Sequence, residues 1–264
     1  MRVRVTLAML ITVAGTALSF ALTPPHYVAR TTFSPPAEST LPGGKFGELV
    51  RQGERIFHDT PKYAGRYDGN ALSCGSCHLD RGRRPDAIPM WGSAGMYPQF
   101  RSRSQQVITL GQRLQQCFIY SLNGTAPTRD SQTLLALEAY IAWLGTGAPM
   151  QTLLPGAGLP VLPKTPRQAD PVAGRTIYTN QCASCHGSAG QGQPGAVPPL
   201  WGSSSYPSGA GLSRPSVLAR YVWATMPYNS IQTLTPQQSR DVAAWVDLQV
   251  RPPNPRKGLL GWLP

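Results

Sequence analysis

Cys74-Gly-Ser-Cys77-His78 and Cys182-Ala-Ser-Cys185-His186 put four of the chain's five cysteines and two of its four histidines into two copies of one pattern. Cys-x-x-Cys-His is the attachment sequence of a c-type haem. Thiols at this spacing both reach one porphyrin edge and form thioethers with the vinyl groups. The adjacent imidazole is set beneath the iron as its proximal ligand. A lone Cys-x-x-Cys would also suit a redox disulfide or half of a zinc site. Two copies, each ending in His and each behind a helix, select the haem reading. Two covalently bound haem c groups are therefore expected, one on Cys74, Cys77 and His78 and one on Cys182, Cys185 and His186.

Each iron needs a sixth ligand. In the second copy Met226-Pro227 follows His186 by 40 residues, just ahead of a closing helix. A thioether there gives the His/Met pair of electron-transfer cytochromes, although methionine is also a common core filler. At the matching place the first copy has Cys117, 39 residues past His78 and 109 before Met226. It is the odd cysteine, with no thioether to make. A buried free thiol is the bland alternative, and Met90, Met96 and His58 are rival ligands. The two methionines come early in the repeat register, and His58 precedes the haem motif. Cys117 is expected as the distal thiolate, a ligand that lowers the potential and puts a nucleophilic sulfur in a pocket. Arg83, Arg84, Arg101, Arg103 and Arg113 surround it in sequence with only Asp86 to offset them. As a group they could hold a dianion beside the sulfur and keep the thiol ionised. Ser121, four residues past Cys117, could add a hydroxyl donor.

The elements that position these groups repeat as well. Trp91-Gly-Ser recurs at Trp201 and Tyr97-Pro98 at Tyr206-Pro207, in register with the cysteines. Gly53-Glu-Arg-Ile56-Phe57 matches Gly174-Arg-Thr-Ile177-Tyr178 at a longer offset, so the first copy carries about thirteen extra residues over 58–70. Phe46, Leu49, Val50, Gly53, Ile56 and Phe57 fall at helical spacing ahead of the first haem motif. Asp170-Pro171 reads as the cap and first turn of the matching helix. Closing helices carry Leu134, Leu137, Ile141 and Leu144 in the first copy and Val242, Trp245 and Val246 in the second. Thr235-Pro-Gln-Gln238 is a capping box at the start of the latter. No strand-period run is apparent. The fold class expected is all-α, two tandem cytochrome c domains joined by a Pro/Gly-rich linker. The divisions are a signal segment or anchor at 1–21, an extension at 22–44, domain 1 at 45–147, the linker at 148–166, domain 2 at 167–251 and a tail at 252–264.

A length of 264 residues suits two small domains, and 27 glycines with 27 prolines mark a loop-rich chain. The formal charge is +12, with twenty Arg against four Lys. Arg-rich surfaces suit carboxylates, phosphates and other oxyanions. Nucleic acid is excluded as a partner for want of any zinc-finger, helix-turn-helix or RNP-like pattern. A net of about six positive charges lies beyond residue 160, a docking face for an acidic carrier. Arg2 and Arg4 precede an apolar stretch from Thr6 to Leu22, with Ser19-Phe-Ala21 as a cleavage pattern. This predicts export to the periplasm, with membrane association only if the segment is retained.

Four stretches go further than spacing: Phe57-His-Asp-Thr-Pro-Lys-Tyr-Ala-Gly-Arg66, Leu72-Ser-Cys-Gly-Ser-Cys-His-Leu79, Met96-Tyr-Pro-Gln-Phe-Arg101, and Cys117 followed by Tyr120-Ser-Leu-Asn-Gly124. With these the chain resembles the dihaem thiosulfate dehydrogenases, tetrathionate-forming cytochromes c of bacterial periplasms. The likeness covers about residues 45–250. It implies that two thiosulfate ions are coupled into tetrathionate and that two electrons pass to a small periplasmic c-type cytochrome. It further implies Cys117 as distal thiolate of the active-site haem, with Arg103, Arg113 and Ser121 as the substrate-binding group. His78 and His186 match the proximal ligands and Met226 the distal ligand of the second haem. Members of the family can carry a lysine beside that methionine; here Thr225 stands there, so exchange of the methionine for lysine is not expected. Some relatives work in reverse as tetrathionate reductases. Rival readings are a dihaem electron carrier with no substrate, a cytochrome subunit of a larger dehydrogenase, and a dihaem peroxidase.

Overall fold

The computed structural model describes residues 27–28, 32–102 and 104–255. The expected signal segment, Arg103 and the tail beyond residue 255 lie outside the described residues. Along the chain the elements are β1 (Tyr27–Val28), α1 (Gly44–His58), α2 (Thr60–Ala64), α3 (Leu79–Gly82), α4 (Trp91–Ala94), β2 (Gln99–Arg101), β3 (Gln106–Ile108), α5 (Leu110–Tyr120), α6 (Gln132–Leu144), β4 (Thr152–Leu153), α7 (Pro171–Gln181), α8 (Ala183–His186), α9 (Pro215–Thr225) and α10 (Pro236–Asp247). The protein is all-α in class, with two helical units in tandem.

The copies are built around the same helix crossing. In the first, α1 packs against α6 at Gly53, where a Cβ would overlap the Ala136 carbonyl and lie 2.7 Å from the Tyr140 Cβ. In the second, α7 packs against α10 at Gly174, where a Cβ would overlap the Asp241 carbonyl and lie 3.0 Å from the Trp245 Cβ. Backbones this close leave room for glycine alone. Val50, Ile56 and Phe57 are buried as their spacing predicts, but Phe46 is exposed. The Pro42 backbone folds against Gly47 and takes the inner side of that first turn. Asp170 caps α7 by accepting from the Val172 and Ala173 amides, with Pro171 in the first turn, and Thr235 and Gln238 form a reciprocal box at α10.

The expectation of no strands is overturned in a small way. β2 and β3 form an antiparallel hairpin with Gln99 opposite Ile108 and Arg101 opposite Gln106. Strands of three residues are too short to reveal a period. Buried Ile108 seats the hairpin on the core while Phe100 and Val107 stay exposed. The hairpin leads straight into α5, whose Thr109–Gln112 capping box fixes where that helix begins.

The segment between the copies is an extended strap. Thr152–Leu153 pairs in parallel with Tyr27–Val28, then Leu154 enters the first core, Leu159 packs at the seam and Leu162 packs on the second core. Leu79 and Ala87 of the first copy meet Tyr221 of the second at that seam, with Met226 packed alongside. Tyr206 and Ala210 are buried within the first copy's core. The described start of the tail runs along the 202–208 loop, where the Ser208 amide donates to the Pro252 carbonyl at 2.9 Å. Among the described residues no helix is long and apolar enough to cross a membrane.

Candidate functional site

In the first copy the haem motif forms a 3-10 turn, Cys74–Ser76, clamped by short polar side chains. Ser73 and Ser76 cap each other, and the buried Thr60 hydroxyl donates to the Ile56 carbonyl at 2.8 Å and accepts from the Cys74 amide at 3.3 Å. Thr60 lies in the insertion, so the extra residues anchor the cysteine turn. His78 follows, and its Nδ1 donates to the Ile88 carbonyl at 2.6 Å. In the second copy the motif spans the end of α7 and α8, and His186 Nδ1 donates to the Pro198 carbonyl at 3.0 Å. Such a bond fixes the tautomer and leaves the Nε2 lone pair for a metal. Burial lowers the pKa of both imidazoles, against the pull of these carbonyls, and so favours the neutral ligand form.

Burial pushes the Cys74 and Cys77 thiols up to about 12 and Cys182 to about 11. Burial therefore favours an uncharged sulfur at these positions, as a thioether is. Among the described residues no group of three or more His, Cys, Asp and Glu side chains could hold a bare metal ion. The donor set thus fits thioether attachment with one imidazole beneath each iron. Two buried hydroxyls, Tyr206 and Tyr221, lie near Cys77 and make no hydrogen bond of ordinary geometry among the described residues, their polar neighbours being Arg251 and Thr225; burial raises the pKa of both phenols. Unsatisfied polar groups beside the attachment cysteine are what a protein shaped around a further group would show.

Opposite this turn, α5 carries Arg113 and Cys117 four residues apart, hence on one face. Cys117 lies within electrostatic reach of Cys74 and Cys77, and Arg113 within reach of His78. Proximity to the Cys117 sulfur raises the Arg113 pKa further above its ordinary value, and the hydrogen bond it donates to Tyr97 adds to this. Tyr97 itself has its phenol pKa raised by burial, against the pull of Arg113 and Arg101. Arg101 donates to the Gln99 side chain at 3.0 Å, two residues back on the same strand, β2. Ser121 is the C-cap of α5; its amide donates to the Cys117 carbonyl at 2.9 Å, and its own carbonyl accepts from Asn70 Nδ2 at 2.9 Å. The same Asn70 nitrogen donates to the Ser205 carbonyl at 3.3 Å, tying the end of α5 to the second copy.

The structure therefore brings Cys74, Cys77, His78, Arg113 and Cys117 together, with Arg101 nearby. It does not gather all the arginines that crowd this part of the sequence. Arg83 donates to the Pro36 carbonyl at 2.7 Å and lies over the Trp143 ring, and Arg84 lies over Tyr228. They sit on a turn where Asp80 and Arg81 adopt positive φ, which sends neighbouring side chains apart. Of the rival ligands, Met90 and Met96 are buried, Met90 within the first core, and His58 is exposed at the end of α1. Met226 caps α9, held by its amide to the Val222 carbonyl at 2.9 Å, and its side chain packs at the seam. Sequence reasoning missed Tyr97, although it lies inside a quoted motif, and missed the carbonyls of Ile88 and Pro198. The available signal for the carbonyls was a repeated one: Ile88-Pro89 and Pro198-Pro199 stand 110 residues apart, in register with Trp91 and Trp201.

Residues 53–150 match the family model described as SoxA/TsdA, cytochrome c domain, and residues 171–248 match that of cytochrome c. The chain is 42% identical over 228 residues to a thiosulfate dehydrogenase of Stutzerimonas stutzeri (strain A1501), covering 85% of this chain and 74% of the relative. A thiosulfate dehydrogenase of Thiomonas intermedia (strain K12) is likewise 42% identical over 228 residues, covering 85% and 73%. Among solved structures, a thiosulfate dehydrogenase (TsdBA) from Marichromatium purpuratum superposes with a TM-score of 0.79 at 41% identity. That match covers 83% of this chain, which spans half the length of the solved one. Each copy carries one covalently bound haem c.

Proposed function

The chain belongs to the thiosulfate dehydrogenases, and on that premise we propose that its first copy couples two thiosulfate ions into tetrathionate at Cys117 while the second copy relays the electrons. The observation that carries this reading is the pairing of Cys117 with a permanently charged Arg113 opposite the haem-attachment turn. An electron carrier has no use for a cation aimed at a nucleophilic sulfur.

Arg113, braced by Tyr97, offsets part of the double negative charge of thiosulfate beside the sulfur. Arg103 and Ser121 complete the binding group. The Cys117 sulfur bonds to the outer sulfur of one thiosulfate, giving a cysteine S-thiosulfonate and releasing two electrons. A second thiosulfate attacks that outer sulfur, which forms the central bond of tetrathionate and returns Cys117 as thiolate. Two sulfur–sulfur bonds form and one breaks, so two electrons leave per tetrathionate. Haem held by these residues would supply one-electron acceptors, and an external c-type cytochrome would take up the two electrons. His78 and Cys117 are the ligands assigned to the first haem, His186 and Met226 those assigned to the second. Run with electrons supplied, the same exchange reduces tetrathionate.

Residues 45–147 and 167–251 are taken as the two domains, and 148–166 as the joint. The compartment is the periplasm, supported by the Arg2–Arg4 and apolar start of the chain. The acceptor is a small acidic cytochrome, supported by the excess of about six positive charges beyond residue 160. The test is reduction of an artificial acceptor by purified holoprotein given thiosulfate. One tetrathionate per two electrons is expected. No reduction, in protein whose haems dithionite still reduces, would leave an electron carrier instead.

A further inference from the structure

We propose that Arg220, a residue of the second copy, is a positioning residue for His78 in the first, acting through the strap between the copies. The acceptor for His78 Nδ1 is the Ile88 carbonyl, at 2.6 Å. Ile88 has φ 56, the left-handed region. A β-branched residue is strained there, and the following Pro89 disfavours it further by pushing its predecessor toward extended backbone. Surrounding contacts must hold it. The Ile88 amide donates to the Gly158 carbonyl at 3.4 Å, and the Asp86 amide donates to Gly156 at 2.9 Å, both on the strap.

The strap is in turn held from the other side. Arg220 Nε donates to the Pro160 carbonyl at 2.8 Å, and its Nη2 donates to the Leu159 carbonyl. Leu159 packs with Leu79, Ala87 and Tyr221, so the strap lies between the loop that follows His78 and helix α9. One guanidinium thereby fixes two successive carbonyls immediately beyond the two strap residues that pin Asp86 and Ile88. The second copy has no such dependence. There the acceptor is Pro198, whose ring locks φ at a negative value, and the neighbouring Val197 pairs with Gln193 in its own copy. The bond that orients His78 is braced from outside its domain, that of His186 from within.

Releasing the strap lets Ile88 relax toward extended backbone and swings its carbonyl away from Nδ1. An imidazole without that acceptor is a weaker donor to a metal, which favours the reduced state of the iron it holds. Removing Arg220 should therefore raise the potential of the first haem and leave the second unmoved. The inference rests on His78 being the proximal ligand of the first haem, and it is independent of the substrate.

The experiment is a spectroelectrochemical titration of holoprotein, following each haem by its own ligand signature, for wild type, Arg220→Ala and Arg220→Lys. About a tenfold shift of the first haem's equilibrium toward the ferrous state is expected in Arg220→Ala, or about 59 mV for one electron. Arg220→Lys, which keeps a donor for one carbonyl, should fall between. An unchanged first potential, or equal movement of both, overturns the proposal. If Arg220→Ala yields no holoprotein, Arg220→Lys and Arg220→Gln are judged by the same criterion. His78→Gly separates the two premises: if it leaves both haem spectra as in wild type, the ligand assignment fails rather than the role of Arg220.

Discussion

Arg113 stands one helical turn ahead of Cys117 on α5, so guanidinium and sulfur share a face, and Tyr97 braces the guanidinium from the segment leading into β2. The helix begins at a capping box fed directly by a hairpin, so both residues hang from rigid backbone. A sulfur held this way meets an anion at a defined distance from a cation that never deprotonates. That arrangement separates nucleophile from charge: one residue makes the bond and the other holds the substrate.

Cys117→Gly should keep both covalently attached haems, because Cys74, Cys77, Cys182 and Cys185 are untouched, and should lose thiosulfate oxidation by about 10³-fold or more. Acceptor reduction with thiosulfate, beside dithionite-reduced spectra, checks both halves. Activity within tenfold of wild type would remove the cysteine from the chemistry.

Tyr97→Phe deletes one hydrogen bond to Arg113 and leaves the ring in place. A single such bond is worth about 0.5–1.5 kcal/mol, so kcat/KM should fall about two- to thirteenfold, chiefly through KM for thiosulfate. Steady-state kinetics over a range of thiosulfate concentrations tests it. A fall confined to kcat would mean that the phenol acts on the reacting sulfur instead of on binding.

The haem motifs, their repeat and the closing helices were legible because each is a local pattern: a fixed spacing, a 3.6-residue period, a cap. Register with Met226 singles out Cys117, which the fold places near Cys74 and Cys77. What stayed hidden depends on contacts far apart in the chain. The β2–β3 hairpin is too short to have a period, and Phe46 has the spacing of a core residue but loses its place to the Pro42 backbone. Arg83 and Arg84 read as part of an anion site by proximity in sequence, yet positive φ at Asp80 and Arg81 directs them to Trp143 and Tyr228. Ile88 acts through its carbonyl, which every residue type possesses, so its side chain carries no signal and only the repeated proline after it, Pro89 and Pro199, marks the place.

Gly53→Ala and Gly174→Ala should each destabilise their own copy. A methyl at either position overlaps a carbonyl on the crossing helix, and backbone cannot move aside as a side chain can. Overpacking of this kind costs about 1–3 kcal/mol or more. Gly53→Ala should lower the midpoint of the first haem's ligand band on thermal unfolding, and Gly174→Ala that of the second. Equal effects of both variants on both bands would show that the copies unfold as one unit.

Asp241 links the second copy to acid. It is buried on α10 and accepts from the Arg167 fork at 3.0 and 2.7 Å, from the Asp170 amide at 2.9 Å and from Gln237 at 2.9 Å. Burial alone would raise its pKa; the bonds from Arg167, Asp170 and Gln237 outweigh it and hold the carboxyl below the usual range. As pH falls, the unfolded chain takes up this proton before the folded one does. The stabilisation is therefore whole above about pH 4 and drains away as pH drops through the lowered native value. Asp241→Asn keeps one acceptor and loses the charge, so it should cost about 1–3 kcal/mol at pH 7. The gap between wild type and variant, read from denaturant unfolding of the holoprotein, should narrow from pH 5 to pH 2. A gap that stays constant over that range would mean that the bonds to Asp241 hold the fold equally well with the carboxyl protonated.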